Sequence, residues 1–487
     1  MLQTTLQAIA DDTGPATARR FADLASRFLD TSVEGQVPVT SAAGPDALYQ
    51  LVDEPVPETG LALDQILEQV ERSVLDQSIR LSHPMYLGHQ VSAPLPSAVW
   101  TEVLISALNN SVAVREMSPA GTALETRLIR WMCELAGLPV GAGGTLTSGG
   151  TEATFTALLA ARAASRPGAW EEGIGEHPPV IVCGEHAHYA VTRAAGELGL
   201  GMNRVRLVPS RDFRMDADAL VQLLDRLHQE QQDVMAVVAT AGSTATGSFD
   251  DLERIGTLCG ERGLWLHVDG AHGASAVFSE SRRVMVHGLR HARSIAWDPH
   301  KMMLMPLSAG MLLVRDERDL ARAFSQRAPY LFHEGDGERG WDQGPRSFAC
   351  SRRFDALKVW VGLKRHGTRG IGALYDHLCD LTAELAVRLT RSGSFVVLHQ
   401  PESNILCFRW TGGSGDDDEL DRRNREVRER YNASGQGWIT TTVLNGRQVL
   451  RVTVMNPRTT TAHLDRLVDG LQRTGEALRL SAAEAPR

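Results

Sequence analysis

The stretch WLHVDGAHGASAVFSESRRVMVHGLRHARSIAWDPHKMMLMPLSAGMLLV, Trp265–Val314, decides the fold of this 487-residue chain. Two apolar runs in and beside it, Leu264–Val268 and Ser294–Trp297, have the character of strands buried in a parallel sheet. Asp269 follows the first run, and Asp298-Pro299-His300-Lys301 follows the second. Ligands of open parallel sheets bind outside the carboxyl ends of the strands, so the first aspartate and the lysine are expected to face one ligand.

A lysine and an acid at one sheet edge indicate pyridoxal phosphate. The lysine provides the amine for a Schiff base, and the acid keeps the pyridine nitrogen protonated. Each residue alone is ordinary, since an aspartate after a strand is usually a turn residue and a loop lysine is usually solvated. A third feature changes the interpretation: the strand Thr145–Ser148 runs into Gly149-Gly150-Thr151 and an alanine-rich helix. Glycines at a helix N-terminus let a phosphate approach backbone N–H donors, although such a turn also occurs without a ligand.

Strands and helices alternate between the glycine turn and the central stretch. Apolar strands are predicted at 180–183, 204–207 and 234–240, and helices at 188–198, 216–228 and 250–262. This alternation is typical of an α/β protein that has a mostly parallel sheet between layers of helices.

The patterns divide the chain into three domains. Residues 1–92 are a helical N-terminal segment, residues 93–366 form the large α/β domain, and residues 367–487 form a small α+β domain. In the first segment Phe21, Leu24 and Phe28 lie on one helical stripe. Such a stripe is typical of an arm that packs on a partner subunit, and an ordinary surface helix is the alternative.

Composition narrows the function classes. The net charge is −9 and there is no basic block, which argues against a nucleic-acid partner. The six cysteines are scattered without a Cys-x-x-Cys pair, so they fit reduced thiols better than disulfides or a metal site. No signal peptide is apparent, and no apolar run approaches the ~20 residues that span a membrane. A soluble cytoplasmic protein without a metal or a membrane partner is the expectation.

The motifs His267-Val268-Asp269-Gly270-Ala271 and Asp298-Pro299-His300-Lys301 resemble those of the pyridoxal-phosphate-dependent group II amino acid decarboxylases. This family includes the glutamate, cysteine sulfinate, diaminobutyrate and DOPA decarboxylases. The resemblance extends from about His83 to Pro457 and implies the fold type I architecture, with a mostly parallel sheet of the seven-stranded type. Family members often have alanine where Gly270 stands and an aromatic residue where His272 stands, so the pocket wall is expected to differ.

The resemblance implies roles for residues at the sheet edge. Lys301 is the expected Schiff-base lysine, Asp269 the partner of the pyridine nitrogen, and His188 the ring that stacks on the cofactor. The other residues that it places at the cofactor are Gly149, Gly150, Thr151, Thr244, Ala271, Asp298, His300 and Ser308. Ser308 is expected at the phosphate across a dimer interface, while a plain Gly/Ser/Thr turn is the alternative at Thr244.

On the substrate side the resemblance implies three residues and a loop. His89 and Gln90 end a His-Pro-aromatic segment that crosses the active site in the family, and Arg451 lies in an apolar strand. The stretch Ala328–Asp342 resembles the mobile catalytic loop, in which Tyr330 supplies the proton that replaces the lost carboxylate. A surface histidine, an edge-strand arginine and a packing tyrosine are the alternatives.

The predicted reaction is α-decarboxylation of an L-amino acid to an amine and carbon dioxide by a homodimer. His89, Gln90 and Arg451 favour a short acidic or polar side chain over an aromatic one. The segment His83–Gln90 lacks the Asn-Gln pair of glutamate-type members, so aspartate, glutamate, cysteine sulfinate and diaminobutyrate stay open as substrates. The alternatives are an aromatic amino acid decarboxylase, transamination or carbon–carbon cleavage on the same cofactor, and a scaffold without activity.

Overall fold

The computed structural model describes residues 1–41, 43–324, 341–412 and 415–484. The chain divides into two compact units. The first comprises Met1–His89, Val387–Leu398 and Phe408–Arg487, and the second comprises Gln90–Ala386 and His399–Cys407.

The chain begins with four helices: α1 (Leu2–Asp12), α2 (Pro15–Glu34), α3 (Pro45–Gln50) and α4 (Leu63–Val70). The next elements are α5 (Pro96–Leu108), α6 (Pro119–Leu135), β1 (Gly143–Thr147), α7 (Gly150–Ser165), β2 (Val180–Gly184), α8 (Ala190–Glu197), β3 (Val205–Val208), β4 (Ser210–Arg211), β5 (Arg214–Met215), α9 (Ala217–Gln229), β6 (Val234–Thr240), α10 (Leu252–Glu261), β7 (Trp265–Asp269), β8 (Ser294–Trp297), β9 (Gly310–Val314), α11 (Arg318–Ala323) and α12 (Ala356–Ser392). The last are β10 (Phe395–Val397), β11 (Ile405–Trp410), α13 (Asp417–Ala433), β12 (Thr440–Leu444), β13 (Arg447–Thr453) and α14 (Thr461–Glu484).

A seven-stranded sheet forms the centre of the second unit, in the order β1-β9-β8-β7-β6-β2-β3. The pairs from β8 to β3 are parallel, and β9 is antiparallel to both of its neighbours, β1 and β8. Six of the seven strands therefore point the same way. The predicted α/β class and the mostly parallel sheet are confirmed.

The register of the central strands brings the polar residues together. Asp269 pairs with Thr240 of β6 on one side and with Ala296 of β8 on the other. Asp298 follows Ala296 by two residues, so the two aspartates lie at the carboxyl ends of neighbouring strands.

The alanine-rich helix α7 packs closely on this sheet because its side chains are small. Ala153 and Ala157 form a buried cluster with Ala296 of β8 and with Leu312 and Val314 of β9. The glycine turn Gly149–Gly150 is thereby held between the end of β1 and the start of α7.

The first unit contains a smaller sheet, in the order β10-β11-β13-β12, to which β11 contributes its last residues. Asp416 caps α13, since its carboxylate accepts the Glu419 N–H at 2.9 Å, and three further acidic residues fill the first turn. The acidic run 416–419 therefore forms the start of this helix. Among the described helices, none has the length and apolar character needed to cross a bilayer.

The long helix α12 spans position 367, the predicted start of the small domain. Gly367 interrupts α12 with φ +66°, a left-handed conformation that favours glycine. The three predicted domains stay a prediction.

Candidate active site

A cavity of about 380 Å³ lies at the carboxyl edge of the seven-stranded sheet. Its walls come from residues that follow β1, β2, β6, β7 and β8. They are Ser148, Gly149, Gly150, Thr151, Glu152, His188, Tyr189, Thr240, Gly242, Thr244, Asp269, Ala271, His272, Asp298, His300, Lys301 and Leu307.

Asp298 joins three parts of this cavity. Its Oδ2 accepts the Gly150 N–H at 3.0 Å, lies 3.2 Å from Lys301 Nζ and lies 3.4 Å from His300 Nε2. Because His300 Nδ1 accepts the Ala309 N–H at 3.1 Å, the ring proton belongs on Nε2, facing Asp298. One buried carboxylate oxygen thus holds the glycine turn, a histidine and the lysine together.

Lys301 is the lysine of the cavity. The chain contains three lysines, Lys301, Lys358 and Lys364. Lys358 is fully buried between Glu102, at 2.6 Å, and Asp355, at 3.0 Å, while Lys364 lies near the ring of Trp360. The Lys301 side chain retains 21% of its accessible surface, which makes its amine the one that a ligand in this cavity can reach.

Asp269 closes the cavity at the end of β7. Its Oδ1 accepts the N–H of Ala271 at 3.2 Å, and the residue is only 8% exposed. This turn fixes one carboxylate oxygen on its own chain and leaves the group facing the cavity.

His188 presents a neutral imidazole. Burial lowers its pKa, and the nearby Lys301 lowers it further, while Asp269 and Asp298 raise it. His188 Nδ1 accepts the Ala190 N–H at 3.2 Å, so its proton belongs on Nε2.

The first turn of α7 forms a cradle for an anion. The first N–H groups of a helix lack helical acceptors and carry partial positive charge. A Cβ on Gly150 would lie 2.8 Å from Ala271 Cβ, and a Cβ on Gly310 would lie 2.5 Å from Gly149 Cα, so both glycines are required for this close packing. The amine, the carboxylate and the cradle are the three groups that pyridoxal phosphate needs, and these residues fit the cofactor.

The pyridoxal-dependent decarboxylase conserved domain matches residues 45–411. The chain belongs to this family. It is 33% identical over 441 residues to L-2,4-diaminobutyrate decarboxylase of Rhizobium meliloti (strain 1021), covering 88% of this chain and 86% of the relative. Cysteine sulfinic acid decarboxylase of Rattus norvegicus is 30% identical over 453 residues, covering 89% and 90%. The crystal structure of mouse CSAD has a TM-score of 0.89 at 27% identity and covers 95% of this chain and 99% of that chain.

Membership in the pyridoxal-dependent decarboxylase family confirms the predicted cofactor and the predicted reaction class. The protein is a pyridoxal-phosphate-dependent amino acid decarboxylase, and the aminotransferase, carbon–carbon lyase and scaffold alternatives lose their support. The two curated relatives bear the names of different substrates, so family membership leaves the substrate open.

Most of the predicted cofactor residues of this decarboxylase line one cavity, Thr244 and His300 among them. Ser308 does not line it, whereas its neighbour Leu307 does. Gly150 donates its N–H to Asp298, so a phosphate would have to share or replace that bond. The individual roles stay predictions.

Several wall residues were not predicted from the sequence as cofactor or substrate residues, and Glu152 is one of them. Glu152 Oε2 accepts both the N–H and the hydroxyl of Ser148, at 2.8 and 2.7 Å, and closes the turn before α7. A serine just before a helix with a glutamate in the first turn is a capping signal that could have identified this pair. His272, where relatives often have an aromatic residue, is buried, and its Nε2 lies 2.7 Å from Asn404 Oδ1.

The predicted substrate residues are distributed differently from the cofactor residues. Gln90 belongs to the second unit, and His89 and Arg451 belong to the first. Within the first unit, burial lowers the pKa of His89, and the charges of Arg451 and Arg428 lower it further. Tyr330 lies outside the described residues.

Proposed function

We propose that this decarboxylase converts a short acidic or polar L-amino acid to the corresponding amine and carbon dioxide in the cavity at the sheet edge. The observation that carries the proposal is the meeting of Lys301, Asp269 and the glycine turn in one cavity. Bound pyridoxal phosphate supplies an electron sink for the electron pair that the departing carbon dioxide leaves behind.

The residues of the chain take four roles in this proposal. Lys301 Nζ would hold the cofactor covalently, because it is the amine that a ligand in this cavity can reach. Asp269 keeps a proton on the ring nitrogen, since a carboxylate next to that atom favours the protonated form. The first turn of α7 binds the phosphate, and the neutral imidazole of His188 packs on the ring without adding a charge.

Tyr330 is the proposed acid that protonates the carbon from which carbon dioxide has left. Replacing it with Phe removes the donor and leaves the cofactor residues in place. We expect Tyr330→Phe to bind cofactor normally, to form amine slowly and to consume more oxygen relative to the carbon dioxide released. Tyr49→Phe, at an exposed tyrosine of α3, is the control. Amine formation at the wild-type rate without oxygen uptake would remove Tyr330 from the mechanism.

The preference for an acidic or polar substrate is supported by charges and donors. The Gln90 side-chain nitrogen is buried and has no hydrogen-bond partner in the described part of the chain. An amide N–H in that situation favours a ligand with an acceptor oxygen. Arg451 and Arg428 lie near enough to His89 to depress its pKa, which favours an anionic over a cationic side chain.

A panel of amino acids tests this preference directly. The holoenzyme is incubated separately with aspartate, glutamate, cysteine sulfinate, 2,4-diaminobutyrate and an aromatic amino acid, and released carbon dioxide is measured. We expect the highest kcat/KM with an acidic member of the panel. A preference for the aromatic substrate would refute the substrate class and leave the decarboxylase activity intact.

A homodimer is part of the proposal. The helix α5 exposes Trp100, Val103, Leu104 and Leu108 to solvent, with 38–59% of each residue accessible. Apolar surface of this kind is typical of an interface. Light scattering of active holoenzyme at micromolar concentration should give twice the 53.0 kDa chain mass, and a monomer mass would refute the assembly.

A further inference from the structure

One face of β7 carries polar side chains that continue from the active-site end toward the start of the strand. Alternate residues of a strand share a face, so Trp265, His267 and Asp269 lie on the same side of β7. Asp269 lines the cavity, while Trp265 and His267 lie deeper in the sheet and are buried. A histidine in the middle of a fully buried strand requires a physical reason.

Ser294 links the two deeper side chains. It lies opposite His267 in the register of β7 and β8, and it is completely buried. Its hydroxyl oxygen accepts the indole N–H of Trp265 at 2.9 Å and lies 2.9 Å from His267 Nδ1. Because the indole can only donate, the hydroxyl keeps its own proton and a lone pair for the histidine.

The imidazole of His267 is neutral. Burial lowers its pKa to about 4, although the charge of Asp269 acts in the opposite direction. In the described part of the chain its Nε2 is buried without a hydrogen-bond partner. The ring is therefore held through Nδ1, by the Ser294 hydroxyl.

Trp265, the side chain on this face of β7 that lies farthest from the cavity, is also held in place. The guanidinium of Arg293 lies over the indole ring of Trp265, 4.8 Å from its centroid. Arg293 is in turn bound by both oxygens of Asp319, each at 3.0 Å. The indole therefore has support on its face as well as at its N–H.

We propose that His267 is a positioning residue for Asp269, and that the Ser294 hydroxyl holds His267 in the orientation this requires. His267 is the next side chain from Asp269 along this face of β7, so a fixed, uncharged ring there would limit the space open to the Asp269 carboxylate and would add no charge beside it. This inference rests on the proposed role of Asp269 and goes beyond it, because neither His267 nor Ser294 lines the cavity.

The test compares two serine-to-alanine variants that lose the same kind of bond. Ser294→Ala removes the hydroxyl that serves Trp265 and His267. Ser275→Ala is the matched control, because Ser275 is equally buried and accepts the indole N–H of Trp297 at 2.9 Å. In the described residues the Ser275 hydroxyl binds that indole and no histidine. Both variants leave a buried indole N–H without its acceptor, and Ser294→Ala also removes the bond to His267, so both should lose thermal stability and Ser294→Ala should lose at least as much.

The two variants should differ in the cofactor and in kcat. Misplacement of a catalytic group costs up to about a hundredfold in rate, and we expect Ser294→Ala to lower kcat by about tenfold with KM unchanged. We also expect it to weaken pyridoxal phosphate binding, measured by cofactor fluorescence, and to change the pH dependence of the bound cofactor's absorbance. Ser275→Ala should keep all three at wild-type values. Equal changes in both variants, or no change in either, would overturn the proposal.

Two further variants keep the outcome unambiguous. Should Ser294→Ala fail to fold, Ser294→Cys retains a weaker hydrogen-bonding group of similar size and should fall between wild type and Ala in kcat. Asp269→Asn, measured in parallel, separates the two hypotheses. If Asp269→Asn loses activity and Ser294→Ala does not, only the positioning role fails. If neither loses activity, the proposed role of Asp269 itself is wrong.

Discussion

The neighbouring strands β7 and β8 both end in an aspartate that lines the cavity, yet the two carboxylates are held in different ways. One carboxylate oxygen of Asp298, after β8, accepts the Gly150 N–H and lies close to the His300 ring and the Lys301 amine. Asp269, at the end of β7, accepts the Ala271 N–H from its own turn and shares one face of the strand with the uncharged side chains of His267 and Trp265. The residues after β8 are therefore joined by charged groups, whereas the carboxylate at the end of β7 is held by its own backbone.

This difference suits two different tasks. A carboxylate surrounded by donors is satisfied within the protein and can hold the lysine and the glycine turn in register. A carboxylate with few protein donors keeps acceptor capacity for a ligand. We therefore propose that Asp298 assembles the site and that Asp269 acts on the cofactor.

The largest effect on turnover is expected from substitution of Lys301, which follows β8. Lys301→Ala should remove the covalent, borohydride-reducible attachment of the cofactor and lower turnover by several orders of magnitude. The fold should persist, because the lysine is partly exposed to the cavity. Absorbance of the holoenzyme before and after borohydride, together with carbon dioxide release, checks this. Retention of a reducible attachment in the variant would exclude Lys301 from the reaction.

Substitution of Asp269, at the end of β7, should change kcat more than the amount of bound cofactor. Asp269→Asn keeps the size of the side chain and removes its charge, so we expect it to retain cofactor and to lose about 10²–10³-fold in kcat. Single-turnover kinetics and cofactor stoichiometry measure the two quantities separately. A variant with near-native turnover would show that the carboxylate of β7 serves only the local turn.

The contact between the glycine turn and Asp298 can also be disturbed by a substitution in the turn, at Gly150. In Gly150→Ala the new methyl group would lie 2.8 Å from Ala271 Cβ and 3.1 Å from Asp298 Oδ2, so the turn must shift. We expect about tenfold weaker cofactor binding, which corresponds to about 1.4 kcal/mol. Gly260→Ala is the control, because a Cβ on this residue of α10 meets nothing within 4 Å. Equal affinity in both variants would remove the turn from the phosphate site.

The titration of His267 should affect stability and leave turnover at neutral pH unchanged, and it appears only in acid. His267 has a pKa of about 4 in the folded protein and about 6.5 when unfolded, so the unfolded chain binds more protons between these values. Stability is therefore fully present above pH 6.5 and falls by about 3 kcal/mol as the pH drops to 4. His267→Phe should flatten this part of the urea-unfolding profile. An unchanged pH dependence would show that the histidine is not buried as a neutral ring.

The sequence allowed the β-strand ends to be predicted because the signal there is local. An apolar run followed at once by Asp269, or by Asp298 and Lys301, identifies a strand and the chemistry at its end without any distant contact. The parallel register then brings neighbouring ends together, as the pairing of Asp269 with Ala296 does.

The rest of the site depends on contacts that no local pattern encodes. Gly150 and Asp298 are 148 positions apart, and the competition between that carboxylate and a phosphate follows only from their meeting. His267 and Ser294 lie on different strands, 27 positions apart. His267 also belongs to the motif that was interpreted through Asp269, so no separate feature of the sequence assigned it a role. On the substrate side His89 and Arg451 belong to one unit and Gln90 to the other, so the side-chain specificity could be predicted only as a class.

The proposed binding of pyridoxal phosphate by Lys301 can be measured directly, because the chain contains only three lysines. Holoenzyme is reduced with borohydride, digested, and searched by mass spectrometry for a pyridoxyl group on the peptides that contain Lys301, Lys358 and Lys364. Lys358 is buried in an ion-pair cluster, and Lys364, outside the cavity, reports non-specific labelling. We expect one modified peptide per chain, the one with Lys301. Modification of Lys364 instead, or of no lysine, would contradict it.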